Sequence, residues 1–166
     1  MSKLLLKYFG EIDLANLVDC YDSEIEFKDR KVKIDLNIIP ANNFDIENIK
    51  ILQNFLDDLT SLEQIIVQAI KQDYENKLVT KEYIDFHIEE LDKSDIDTLI
   101  KNADKKLKRK ERLLSVMYLK RIGFYPEKGE DTFAIFDYAL NEELTDELLV
   151  IGVSKDKDIN WITWES

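Results

Sequence analysis

Four short runs in the last fifty residues, SVMYLKRIGFY, TFAIFDYAL, ELLVIGVS and NWITW, constrain this chain more than any other feature. They are rich in β-branched and aromatic residues. The connectors between them, PEKGED, NEELTD and KDKDI, carry the Pro, Gly, Asn and Asp that reverse a backbone. A β-meander over residues 115–166 is therefore predicted. Leu148, Leu149, Val150, Ile151 and Val153 are apolar on both parities, so part of this sheet must be covered on both faces.

The central third of the chain offers a cover. After Pro40 the hydrophobic period lengthens from two to about 3.6 residues. Ile49, Leu52, Leu56 and Leu59 line one helical face behind Asn43, a suitable N-cap, with Asp45 and Glu47 where the helix dipole favours them. Ser61 with Gln64 reads as a capping box for a second helix that turns Leu62, Ile65, Ile66, Ala69 and Ile70 inward. Thr80 opens a third helix on Ile84, Ile88 and Leu91, and Ser94 with Asp97 a fourth on Ile96, Leu99 and Ile100. The segment KKLKRKERLL adds a last turn or two. No Gly or Pro falls between Asn43 and Leu113, so helix is expected throughout.

Ahead of the helices, Ile25 and Phe27 alternate with Glu24, Glu26 and Lys28, and Val32, Ile34, Leu36 and Ile38 alternate with Lys33, Asp35 and Asn37. This is the pattern of a hairpin with one wet face, turning at Asp29-Arg30 without the favoured glycine. The opening YFGEIDLANLVDCY reads as a strand or turn with a short connection. Strands, helices and strands again within 166 residues argue for a single α+β domain. Its parts are N-terminal strands in 1–40, helices in 43–113 and the meander in 115–166. The hairpin and the meander are expected to share one mostly antiparallel sheet, covered on one face by the helices.

Charge narrows the partners. With 35 acidic residues against 23 basic, the net charge is −12, which repels phosphate backbones and anionic lipid and attracts basic proteins. Free nucleic acid and membrane are thus not expected partners. The single Cys20 forms no intramolecular disulfide and no Cys/His cluster exists for zinc, consistent with a reduced, cytoplasmic setting. The start MSKLLLKYFGEIDL is too short in apolar residues and too charged for a secretory leader.

No cofactor signature survives inspection. The glycines Gly10, Gly123, Gly129 and Gly152 are scattered and assemble no phosphate loop. Asp156, Asp158 and Asn160 have the spacing that opens an EF-hand loop, but Trp161 stands where that loop needs glycine, so a solvated hairpin turn is the better reading and no metal is expected. Residues 105–112 hold six cations and one acid, Glu111, which is locally +5. With no aromatic interleaved they read as a solvated helix face paired with acidic helices.

Four residues stand out as candidates for binding or chemistry. His87 is the only histidine, set among Tyr83, Ile84, Glu90 and Leu91 at helical spacing, and a packed, hydrogen-bonded role outweighs that of a general base. Asp137 shares strand parity with Phe133, Ile135 and Ala139, so its carboxylate needs a partner, for which Arg121 and Lys120 are at hand. Tyr125 and Trp164 are the aromatic hot spots of a protein contact if they are exposed.

The blocks YFGEIDL, KVKIDLNI, EYIDFHIEELD, LKRIGFYPE, FAIFDYALNEELTDELLVIGV and the closing WES, in this order, span nearly the whole chain. Together they resemble the bacterial family catalogued as domain of unknown function two-thousand-and-four. The resemblance implies a small, stand-alone, cytoplasmic protein of α+β type and carries no reaction with it. The expected function is a non-catalytic protein-binding module of the toxin-neutralising, immunity type. Its rivals are a small hydrolase using Asp137 or His87, and a regulatory domain that holds a small ligand between helices and sheet.

Overall fold

A computed structural model describes residues 3–38, 46–127 and 131–166. Pro40 and the N-cap and first-turn roles of Asn43 and Asp45 lie outside these residues, as does Gly129 of the first meander connector.

The wet-faced hairpin is β3 (Cys20–Phe27) and β4 (Arg30–Asn37), paired antiparallel. Its turn sits at Lys28-Asp29, one residue earlier than expected. Both residues adopt left-handed φ, 49° and 62°, so the turn takes the primed form that matches strand twist even without glycine. Before it, β1 (Lys3–Leu6) and β2 (Gly10–Asp13) form a separate two-stranded sheet that sends Leu6 and Ile12 into the common core. Gly10 closes their turn at φ 79°, and the Ser23 hydroxyl donates to the Tyr8 carbonyl at 2.6 Å.

The meander is β5 (Tyr118–Phe124), β6 (Ala134–Ala139), β7 (Leu148–Val153) and β8 (Ile159–Glu165), each antiparallel to the next. It joins the hairpin through β4 and β5, which run parallel, with Lys33 opposite Arg121 and Leu36 opposite Phe124. The six-stranded sheet is therefore mixed, and the small N-terminal sheet stands apart from it, which corrects the expectation of one mostly antiparallel sheet. A parallel neighbour demands a long crossover, and the helical third of the chain is that crossover.

Among the described residues five helices make it: α1 (Ile46–Asp57), α2 (Leu59–Glu75), α3 (Val79–Glu90), α4 (Lys93–Leu99) and α5 (Arg109–Ser115). Phe55 of α1 meets Phe124 and Phe133, Glu63 of α2 meets the Tyr138 hydroxyl, and Tyr83 and Phe86 of α3 pack on Trp164. Register puts Phe124, Tyr138 and Trp164 on one face of the sheet, so these helices cover that face.

The helix boundaries differ from the sequence expectations in instructive ways. Ser61 lies inside α2, which starts at Leu59 without a side-chain cap, and the Asp58 carbonyl accepts the Leu62 amide at 2.9 Å. Thr80 is the second residue of α3, its amide held by Asp73 Oδ2 at 2.6 Å, and Ser94 is the second residue of α4. Ile65 points to solvent, at 51% exposure, while Phe55 and Glu63 point inward. Continuous helix fails at residues 101–108, which run as turns. There the Asp104 carboxylate accepts the Lys106 amide at 2.9 Å, offering the backbone a local partner in place of the helical one.

Candidate functional site

Alternation and register assign the other face of the sheet Asp22, Glu24 and Glu26 from β3, Lys31, Lys33 and Asp35 from β4, Arg121 from β5, Asp137 from β6 and Glu165 from β8. Arg121 reaches this face through a bulge. Leu119 pairs with Tyr138 and Arg121 with Asp137, so Lys120 is extra, and strand parity inverts across it. Leu119 is thereby buried beneath the helices while Arg121, two residues on, turns the opposite way.

Arg121 organises three neighbours. Its Nε and Nη2 donate to Asp35 Oδ1 and Oδ2 at 2.6 and 2.7 Å, a two-pronged pairing that suits the guanidinium plane. Nη1 donates to Asp137 Oδ2 at 3.1 Å, and Nη2 also lies 3.0 Å from the Tyr125 hydroxyl. Asn37 Nδ2 adds a donor to Asp35 Oδ2 at 2.6 Å. Gly123 makes the span possible, because a Cβ there would stand 2.7 Å from Arg121 Nη2 and 3.0 Å from the Tyr125 ring.

The cluster holds one cation between two carboxylates. Burial opposes the charge on Arg121, but its bonds to Asp35, Tyr125 and Asp137 outweigh this and hold it protonated well above its ordinary range. For Asp137 burial wins: its pKa lies above the ordinary 3.8, although Arg121 pulls it down, and the charges of Glu165 and Asp35 push it further up. Beside the cluster lies an open cleft of about 600 Å³ whose lining includes Asp22, Glu24, Lys33, Asp35 and Arg121.

Trp161, not Trp164, is the tryptophan this face exposes. Its indole lies over Gly152, where a Cβ would come within 2.2 Å of the ring, and its Nε1 donates to Thr132 Oγ1 at 3.1 Å. Trp164 is half-buried beneath α3 on the helix side. Tyr125 is half-buried on the outer face beside Arg121.

His87 lies in the core, fully buried, with ring contacts to Tyr83 at 4.4 Å and Phe86 at 5.2 Å. Its Nδ1 sits 2.7 Å from the Tyr83 carbonyl, which only accepts, so Nδ1 carries the proton and Nε2 accepts from the Thr145 hydroxyl at 3.1 Å. The Tyr83 hydroxyl donates to the Glu147 carbonyl at 2.9 Å, so the pair ties α3 to the β6–β7 connector. His87 and Asp137 therefore stand on opposite faces of the sheet, and no single substrate can be served by both.

Burial lowers the His87 pKa below its ordinary 6.5, with the Tyr83 carbonyl and the Glu147 charge acting the other way. A depressed base binds its proton more readily unfolded than folded, so stability falls as pH drops through 6.5 toward the folded value. Denaturant midpoints measured between about pH 5 and 7 should fall toward acid more in the parent than in His87→Gln. Asp137, whose folded pKa is raised, contributes in the opposite sense. A midpoint whose pH dependence is the same in the parent and in His87→Gln would contradict the histidine assignment.

The remaining sequence candidates serve structure. Lys110 pairs with Asp85 at 2.6 Å, Arg109 pairs with Asp97, and Arg112 Nη2 donates to the Ile100 carbonyl at 2.8 Å, so part of the basic run neutralises acids of α3 and α4 and closes the turn before α5. Ser154 Oγ accepts the amides of Asp156 and Asp158, and Asn160 Nδ2 donates to the Asp131 carbonyl at 2.9 Å, which accounts for that triad as a hairpin turn. Among the described residues no group of three His, Cys, Asp or Glu is placed to hold a metal ion, and no helix is long and apolar enough to cross a membrane.

No protein-family model, no curated protein and no solved structure matches this chain.

Proposed function

We propose that this protein is a non-catalytic, cytoplasmic protein-binding module, of the toxin-neutralising immunity type and akin to the uncharacterised bacterial family its sequence blocks resemble. Its contact surface is the outer face of the six-stranded sheet and its partner is a basic protein. The observation that carries this reading is the make-up of that face, where register assigns, among the described residues, six carboxylates, Asp22, Glu24, Glu26, Asp35, Asp137 and Glu165, against three cations, Lys31, Lys33 and Arg121. Arg121 is already shared by two of the carboxylates, so little positive charge is left to repel a basic surface. Trp161 and Tyr125 add rigid aromatic area next to that charge, the combination that makes hot spots. The net charge of −12 supports fast, salt-sensitive capture of such a partner.

The test is affinity capture from lysate of the native host at low and moderate salt, with binding constants for the protein recovered. Trp161→Ala should weaken binding by about tenfold or more, as expected for an exposed aromatic anchor. Asp22→Lys with Glu24→Lys should slow association and flatten its salt dependence. Recovery of no protein at either salt, or of one indifferent to all three substitutions, would remove the proposal.

A further inference from the structure

On the helix side, α2 and α5 do not close against each other over β6. They leave a cavity of about 550 Å³, within the range of roughly 300–1,000 Å³ that small-molecule sites occupy. Its walls are Val67, Ile70, Leu107, Leu114 and Met117, with the Tyr74 and Tyr138 rings. We infer that this cavity is a binding site for a small apolar amine, a ligand with a hydrophobic body and one protonated nitrogen at the cavity mouth. The site lies on the opposite face of the sheet from the protein-binding surface proposed above and does not rest on that reading.

The body of the ligand follows from the walls, and its head from the polar groups. Ser115 Oγ already donates to the Arg112 carbonyl at 2.7 Å, and the Tyr138 hydroxyl donates to Glu63 at 3.3 Å. Both hydroxyls have spent their proton and can offer a ligand only lone pairs. Glu63 is tied to Lys28 at 2.5 Å, so Tyr138 has little freedom to turn its proton elsewhere. Glu75 and Glu111 line the cavity as well and are acceptors only. Among the described residues, Glu111 uses Oε2 on the Lys108 amide at 3.1 Å and no bond reaches its Oε1, and Glu75 pairs with no cation. Against them stand the Lys71 ammonium and the Tyr74 hydroxyl as the donors of the lining. Two carboxylates against one ammonium in the lining favour a cation over an anion, and Lys81 and Lys110, which also act on Tyr74, are both held by Asp85. The Tyr74 ring offers a face for that cation.

Three probes sharing one hydrocarbon body separate the alternatives: phenylbutylamine, phenylbutyrate and phenylbutanol. Titration of the full chain, followed through the methyl resonances of Val67, Leu114 and Met117, should show the amine binding about tenfold tighter than the acid. The alcohol should fall between them. Glu75→Gln with Glu111→Gln, which keep side-chain length and leave an oxygen for the Lys108 amide, should erase the preference and change the alcohol least. Leu114→Trp, which narrows the cavity at one wall, should weaken binding of all three. The inference is overturned if the acid binds as tightly as the amine, if the perturbed methyls lie elsewhere, or if no probe binds at millimolar concentration.

Discussion

Phe55→Ala should destabilise the protein by about 4 kcal/mol, the usual loss for a fully enclosed phenylalanine, and lower its melting temperature by about 10 °C. The side chain has no solvent exposure and stands at the one place where α1 meets the sheet through rings. Phe124 meets it edge-on with centroids 6.3 Å apart, and Phe133 at 4.9 Å. The surrounding Leu52, Leu56 and Phe124 are themselves fully enclosed, so few neighbours have room to fall into the space. Ile65→Ala on α2 is the matched control. That isoleucine is half exposed, so its removal should move stability by less than about 0.5 kcal/mol. Urea midpoints of the two variants should differ accordingly. A loss below about 1.5 kcal/mol for Phe55→Ala would mean that α1 is not seated on the sheet as described.

These two positions also show where local sequence stops being informative. The series Ile49, Leu52, Leu56, Leu59 satisfies helical spacing by itself, and Phe55 satisfies it equally well one step from Leu56. In α2, Ile65 and Ile66 present the same ambiguity, since an apolar stripe has edges that only the neighbouring surface defines. Glu63 is the converse case. A carboxylate in a helix is read as solvated, yet Glu63 is buried, met by Tyr138 from the core and by Lys28, thirty-five positions away, reaching in from the surface. A pair so distant in the chain leaves no periodic trace.

The meander was legible because each strand carries its own pattern and each connector its own turn chemistry. β1 and β2 were not, since four residues apiece are too few to establish a period of two. The parallel joint of β4 with β5 is a relation between segments separated by the entire helical crossover, and no local rule specifies it. The need of Asp137 for a cation was legible from parity, but the choice of Arg121 over Lys120 was decided by the bulge, which the run YLKRIGF does not announce. Asp35 passed as an ordinary wet-face residue of the hairpin. Its bond to Arg121 became visible only once β4 and β5 were seen to be adjacent.

That adjacency gives the second large effect. Arg121→Met should cost about 3 kcal/mol near neutral pH, because it strands two carboxylates that are each less than one tenth exposed. The figure sits at the low end for enclosed ion pairs, since 30% of the Arg121 side chain still meets solvent. Asp35 would keep Asn37 as a donor, whereas Asp137 would lose its only described cation. The pH dependence follows from Asp137. Its folded pKa is already above 3.8, so the fold favours the protonated acid, and stability from this group is gained as pH falls through the folded value and lost as pH rises through it. Removing Arg121, which pulls that pKa down, lifts it further, so the deficit of the variant should be largest near neutrality and shrink toward acid. Asp35→Asn and Asp137→Asn added to Arg121→Met should recover most of the loss, because a neutral set needs no counter-charge. Arg121→Lys should not, since an ammonium cannot bridge both Asp35 oxygens and Asp137 at once. Chemical denaturation of the four proteins at pH about 7 and about 5 checks the whole scheme. A deficit of equal size at both pH values would show that Arg121 acts through packing alone and that its pairing with Asp35 and Asp137 contributes nothing to stability.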